Sequence, residues 1–237
     1  MSNTYFQFKE FIIHQDQCAM KVCTDACILG AWFGGKIPSY SLALDIGSGT
    51  GLLMLMLAQQ HKGEIRGIEL DLAAFRQLKE NIGQSKWKER LKVFPGDVRN
   101  FGFPEKFDFI ITNPPFYEGD LAAATVAANL ARHSRELTLV ELLAVIDRNL
   151  EDGGSFGILL PYHRVAEFTQ LAAGHSFHLR EQLLVRQTPQ HDPFRGILHF
   201  SRHKERSVPE SELVIRDGAG QYTEEFVELM RAYYLKL

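Results

Sequence analysis

Between residues 42 and 160, short apolar runs alternate with stretches that place an apolar residue every three or four positions. The runs at 42–46, 65–69, 91–94, 108–112 and 155–160 have the length and β-branched content of buried strands. Between them, Phe75, Leu78 and Ile82 mark one face of a helix. Leu139, Leu142, Leu143 and Ile146 mark another over 138–150, with Gly153 and Gly154 expected to stop it. Repeated strand, helix, strand order predicts an α/β fold, a parallel sheet with helices on both faces. Past Pro161 the rhythm changes. One helix over 165–173 is followed by two long apolar runs, 179–185 and 196–202, around the turn-rich Thr188-Pro189-Gln190-His191-Asp192-Pro193-Phe194, which predicts an antiparallel hairpin closing the sheet. Phe6, Phe8, Phe11 and Ile13 fall outside the alternation, so residues 1–35 are expected to cap a single domain of residues 36–237. Phe226, Leu229, Met230 and Tyr233 predict an amphipathic helix over 222–237.

Composition narrows the class. With 237 residues, 45% hydrophobic and 23% charged, the chain can bury a large core without disulfide or metal staples, which excludes disordered and fibrous folds. A formal net charge of −3 excludes a general affinity for nucleic acid, so any RNA contact is expected to be a local patch. No apolar run reaches the ~20 residues of a membrane span and no secretory layout opens the chain, so a cytoplasmic location is expected. Cys18, Cys23 and Cys27 are odd in number and lack a C-x-x-C pair. Even with His14 nearby they match no zinc spacing, so neither a disulfide framework nor a metal site is expected.

The strongest chemical signal is Asp45-Ile46-Gly47-Ser48-Gly49-Thr50-Gly51-Leu52, a buried strand running into a glycine turn and then an apolar helix. Gly47, Gly49 and Gly51 let the backbone approach a ligand, and the helix N-terminus favours an anionic group there. A nicotinamide site wants G-x-G-x-x-G. This turn is G-x-G-x-G preceded two residues earlier by an acid, which would repel a pyrophosphate and hold an ammonium. An amino-acid moiety such as that of S-adenosylmethionine suits it. Glu69, at the end of the second strand, is placed to accept from two ribose hydroxyls, and Asp97, after the third, to accept from an adenine amino group.

A second signal, Thr112-Asn113-Pro114-Pro115-Phe116, follows the fourth strand. In an open parallel sheet the carboxyl ends of the strands line the ligand crevice, so this loop is expected to face the glycine turn. The prolines fix where carbonyls point. The Asn113 amide oxygen and the Pro114 carbonyl can accept the two hydrogens of an NH₂ group, which favours sp³ character at nitrogen, and Phe116 offers a flat face to a planar ring.

These motifs resemble the class I S-adenosylmethionine-dependent methyltransferases, specifically those that modify a planar NH₂ nitrogen. The flanks narrow the resemblance. F-x-F-K-x-F, C-A-M-K-V-x-T-D-x-x-x-L-G-A-W from Cys18 to Trp32, and the closing L-V-I-R-D…Y-T-E-E-F are similar to the bacterial valine-tRNA adenine-37 N6-methyltransferases over nearly the whole chain. Cys23 stands where Gly is expected in K-V-G-T-D, and Phe116 where relatives carry Tyr. The resemblance implies a Rossmann-like fold with a seven-stranded, mostly parallel sheet in the order 3-2-1-4-5-7-6 and one antiparallel strand. It also implies S-adenosyl-L-methionine as cofactor and N6-methylation of adenine 37 in the anticodon loop of valine tRNA; the oligomeric state is left open, with a monomer favoured. The same chemistry would serve a guanine N2 of ribosomal RNA or a glutamine amide of a release factor, and a non-catalytic RNA-binding module is the rival outside enzymes.

Three flanking features carry weaker readings. Lys21, Thr24 and Asp25 either border the cofactor or, for Thr24 and Asp25, cap a helix beginning near Ala26. Arg132 and His133 follow a small-residue run, 121–131, read as a lid beside Phe116, and are assigned RNA or solvent contact rather than base catalysis. From Gly174 to Arg206, Arg180, Arg186, Arg195, Arg202, Lys204 and Arg206 outnumber Glu181, Asp192 and Glu205 by three, interleaved with Phe177, Phe194 and Phe200, the composition of a phosphate-tracking face.

Overall fold

A computed structural model describes residues 3–18, 20–115 and 137–237, so Phe116, Arg132 and His133 lie outside the described residues. The chain opens with β1 (Tyr5–Gln7) and β2 (Ile12–His14), an antiparallel pair, and then α1 (Thr24–Gly34). The alternating segment follows as β3 (Ala43–Ile46), α2 (Leu52–Gln60), β4 (Ile65–Glu69), α3 (Leu72–Gly83), β5 (Leu91–Pro95) and β6 (Phe107–Thr112). After these come α4 (Leu139–Asn149), β7 (Leu150–Pro161), α5 (Val165–Gly174), β8 (His178–Arg186), β9 (Arg195–Ser201), β10 (Glu210–Val214) and α6 (Glu224–Met230).

The sheet has the order β10-β8-β9-β7-β6-β3-β4-β5, with β9 antiparallel to both of its neighbours and every other pairing parallel. Counted from β3, the expected order 3-2-1-4-5-7-6 is present, but the sheet has eight strands rather than seven. The extra strand is β10, parallel to β8 at the edge, and only Leu213 of its five residues is buried. Its first three residues, Glu210, Ser211 and Glu212, are exposed, so no apolar run spans it; pairing with β8 makes it a strand.

Strand residues alternate between two cores, as a period of two requires. Ala43, Phe109, Ile111, Leu159 and Ile197 face α1, α2, α3 and α6, whereas Leu44, Ile110, Ile158, Leu160 and Leu198 face α4 and α5. Helix α2 is buried from Leu52 through Ala58 because α1 covers its outer side. Phe8 and Phe11 stack at 4.5 Å between centroids and join the same core.

Local signals set the helix starts. Asp71 caps α3 by accepting from Ala73 N (2.9 Å) and Ala74 N (2.8 Å), and Thr138 with Glu141 forms a capping box on α4. The stop of α4 differs from expectation. Leu150 is already extended, and Gly153 and Gly154 lie inside β7. The expected 222–237 helix is shorter, Glu224–Met230, since Thr223 caps it by accepting from Phe226 N at 3.2 Å. No described helix is long and apolar enough to cross a membrane.

Candidate active site at the carboxyl edge of the sheet

Strand register brings the two motifs together. Asp45 pairs with Gly67 on one side and Ile111 on the other, and Ile46 pairs with Ile68 and Thr112. The residues that follow, Gly47, Glu69 and Asn113, therefore leave three adjacent strands at the same edge. Thr112 Oγ1 donates to the Ile46 carbonyl at 2.9 Å and ties the start of the Asn113 loop to the start of the glycine turn.

Gly47, Gly49 and Gly51 have φ of 74°, 54° and 87°. A Cβ at Gly47 or Gly49 would meet nothing within 4 Å, whereas one at Gly51 would strike Leu78 Cδ1 at 2.7 Å. Gly51 is therefore a packing requirement between α2 and α3, while Gly47 and Gly49 front open space. Asp45 lies behind the turn, fully buried, and neither carboxylate oxygen has a partner among the described residues. Burial pushes its pKa up to about 8, Glu69 adds like-charge repulsion, and the nearby Ser48 hydroxyl offsets a part. An ionised carboxylate so placed is costly unless a cation joins it.

Glu69 is held ready. One oxygen accepts from Gly49 N and the other from Asp71 N, each at 2.8 Å, so its orientation is fixed by backbone while each oxygen retains a lone pair for a further donor. Leu70, the next residue, is 49% exposed at this edge, an apolar surface that periodicity did not single out.

Asp97 reaches the same edge after β5 but has a partner that the sequence reading overlooked. Arg99 engages both of its oxygens, with Nη2 to Oδ2 at 2.6 Å and Nε to Oδ1 at 3.0 Å, and holds the carboxyl below its ordinary range. Thr24 is not brought to the glycine turn by any described contact. It is the first residue of α1, exposed, with its hydroxyl directed to the Tyr234 phenol, and Cys23 occupies the cap position without a side-chain bond. Neither does Thr24 cap the helix. Asp25 accepts from Ala26 N at 3.0 Å and from Arg195 Nε at 2.8 Å. On the fourth strand Pro114 is buried, and Asn113 Oδ1 is buried with no partner among the described residues, an acceptor without a donor.

The basic segment looks different once folded. Arg180 pairs with Glu205 (3.5 Å), Arg186 with Glu212 (3.0 Å), Arg195 with Asp25 (2.8 Å) and Arg202 with Asp147. The local surplus of three is met by three carboxylates from elsewhere in the chain, Asp25, Asp147 and Glu212. The expected phosphate-tracking face is thereby largely neutralised. Lys204 and Arg206 are exposed, with no ion pair among the described contacts.

Comparison with known proteins agrees with this geometry. Residues 36–158 match the methyltransferase small domain family. A tRNA1(Val) (adenine(37)-N6)-methyltransferase of Dyadobacter fermentans is 39% identical over 99% of this chain and 98% of its own, and one of Bacteroides thetaiotaomicron is 38% identical over the full length of both. The crystal structure of a predicted O-methyltransferase from Agrobacterium tumefaciens shares the fold, with a TM-score of 0.66 and 16% identity over 87% of this chain and 95% of its own. The carboxyl-edge site thus sits on a methyltransferase fold, and the chain belongs to the methyltransferase small domain family and, within it, to the tRNA1(Val) (adenine(37)-N6)-methyltransferases.

Proposed function

We propose that this protein transfers a methyl group from S-adenosyl-L-methionine to N6 of adenine 37 in the anticodon loop of valine tRNA. The observation that carries the reading is the pair of buried acceptors without a partner among the described residues, the Asp45 carboxylate and Asn113 Oδ1, at the ends of neighbouring strands on one edge.

The residues fit the cofactor. Asp45 meets its ammonium, the open face of Gly47 and Gly49 admits its amino-acid end, and the free lone pairs of Glu69 accept the ribose diol. Leu70 covers a purine face. Asp97, already clamped by Arg99, keeps an oriented oxygen for the adenine amino group. Bound S-adenosylmethionine supplies an electrophilic methyl carbon on a sulfonium.

Asn113 Oδ1 and the Pro114 carbonyl accept the two N6 hydrogens, hold the nitrogen at a fixed point, and favour the sp³ geometry in which its lone pair faces the methyl carbon. Phe116 stacks on the base. The nitrogen needs no deprotonation before attack, because the proton it carries afterwards is acidic and leaves unaided. Loop bases are partly unstacked, so extruding one costs less than opening a duplex. Recognition by the chain's overall charge is not part of the scheme.

Radiolabelled methyl transfer to unmodified tRNA, ribosomes and release factor in separate reactions tests the assignment. N6-methyladenosine at position 37 of valine tRNA is expected. Label confined to ribosomal guanine or to a glutamine amide would replace the substrate, and no transfer to any of them would leave a non-catalytic fold.

A further inference from the structure

Two amide side chains on α3, Gln77 and Asn81, are each 1% exposed and belong to none of the motifs above. Asn81 is saturated. Its Oδ1 accepts from His14 N at 3.0 Å, and its Nδ2 donates to the His14 carbonyl and to the Thr50 carbonyl, both at 2.9 Å. One turn earlier, Gln77 Oε1 accepts from Gln17 N at 3.0 Å while its Nε2 donates to Asp16 Oδ1 at 2.6 Å. Gln15 closes the segment on itself, accepting from Val22 N at 2.8 Å.

These bonds have two destinations. Gln77 and Gln15 act within the N-terminal segment and its seat on α3. Asn81 spends one donor on that segment and the other on Thr50, the residue between Gly49 and the left-handed cap Gly51. An anchored Thr50 carbonyl fixes the plane of the Thr50–Gly51 peptide, the joint between turn and helix α2. On the β4 side the turn is held by Gly47 N and Ser48 N on the Ile68 carbonyl and by Gly49 N on Glu69, while its ligand-side face is open at Gly47 and Gly49; the Thr50 carbonyl is the tie to α3 and, through Asn81, to the N-terminal segment. Order that the fold does not impose has to be created when a ligand binds, at the expense of affinity.

We infer that Asn81 is a positioning residue for methyl-donor binding. It fastens β2 and the chain to Gln17 onto the glycine turn, so that docking of the N-terminal segment and occupation of the turn form one coupled equilibrium. The inference rests on the reading of the turn as the cofactor site. Coupling between binding equilibria is reciprocal, so the donor must in turn steady the N-terminal segment, although no atom of His14 needs to touch it.

Amide hydrogen exchange on the wild-type enzyme, with and without saturating S-adenosylhomocysteine, tests this without any substitution. Slower exchange at His14 and Gln17 in the presence of the ligand is expected, and exchange that ignores the ligand would overturn the inference. Asn81→Leu should weaken S-adenosylmethionine binding about tenfold by calorimetry, within the roughly 5–150-fold span of such couplings, while kcat at saturating donor stays near that of the wild type. In that variant exchange at residue 14 should no longer respond to ligand. Gln77→Leu should speed exchange at Gln17 with a smaller loss of affinity, because the Thr50 anchor survives. Wild-type affinity in Asn81→Leu would make the residue purely structural and overturn the inference. Should the wild-type enzyme bind no S-adenosylmethionine at all, the cofactor reading would fall first and the inference with it.

Discussion

The middle of the sheet and its β8–β10 end treat polar groups differently. At the carboxyl edge of β3 and β6, Asp45 keeps a whole carboxylate and Asn113 a carbonyl oxygen buried without partners among the described residues. Along β8 to β10, charges that look abundant in the chain are paired, Arg186 with Glu212 and Arg202 with Asp147, the latter guanidinium also lying 4.6 Å over the Phe177 ring. In the first region a carboxylate and an amide oxygen lack partners among the described residues, whereas in the second the charges are matched and the open atoms are the nitrogens His199 Nε2 and Arg202 Nε. Folding leaves buried acceptors unsatisfied only at a cost of about 1–3 kcal/mol each, so a buried carboxylate and a neighbouring buried amide oxygen at one edge support the proposal that a ligand binds there. A run of arginines, by contrast, says little until their partners are known.

The contrast is broken most directly at Asn113. If its oxygen holds the target amino group, Asn113→Ala should lower the single-turnover rate on unmodified valine tRNA by ~10²–10³, with cofactor and tRNA affinities changed only slightly. A near-normal rate would make the loop a structural turn. Glu69→Ala comes next. Loss of a charged acceptor for a diol, at about 1.5–3 kcal/mol per hydrogen bond, should weaken S-adenosylmethionine by at least ~10-fold in a calorimetric titration.

Asp45 gives a pH signature. Its carboxyl is protonated below about 8 in the free enzyme and must ionise to hold an ammonium, so affinity should fall as pH drops below about 8, by up to ~10-fold per unit. A proton should be released on binding, visible as a dependence of the calorimetric heat on buffer. Above that range the ligand's own α-amino group, with an ordinary pKa of roughly 7.7–8.0, loses its charge and affinity should decline again. The sign for stability is the reverse of the usual carboxylate case. A folded pKa raised above the unfolded one favours the native state at low pH, so Asp45's contribution should be lost as pH rises from the unfolded value, near 3.8, through about 8. Thermal melts of Asp45→Asn, which lacks this dependence, isolate the contribution.

The smallest effects belong to the paired arginines. Arg202→Ala should cost stability about 1 kcal/mol or less and change the log–log salt slope of tRNA binding by clearly less than the ~0.9 of a full phosphate contact. Lys204→Ala and Arg206→Ala, at exposed positions without a described ion pair, should flatten the slope more. A large effect of Arg202 with none from Lys204 or Arg206 would reinstate the arginine face and erase the difference between the two regions.

Much of this was legible in the chain alone. Alternation over 42–160 was enough for the parallel α/β core, because each buried strand needs a continuous apolar run and each covering helix an apolar face, whereas the strand order came from the family resemblance of the motifs. The glycine turn and the Asn113 loop were legible too, since a glycine turn and a stiffened proline loop are written in consecutive residues. Strand β10 was not, with one buried residue in five, nor the end of α4, where the chain passes directly into β7.

What the sequence by itself determined, then, was whatever depends on neighbours along the chain: the elements, their order, and the motifs at their carboxyl ends. Tertiary structure alone decided which charges remain uncompensated. Arg195 finds Asp25 across 170 positions, Arg202 finds Asp147 across 55, and Asn81 reaches His14 across 67 and Thr50 across 31. Electrostatic and hydrogen-bond partners act over a few ångströms in space, whereas composition averages over neighbours in the chain. A count of charges in a segment therefore cannot show whether its field is free or spent.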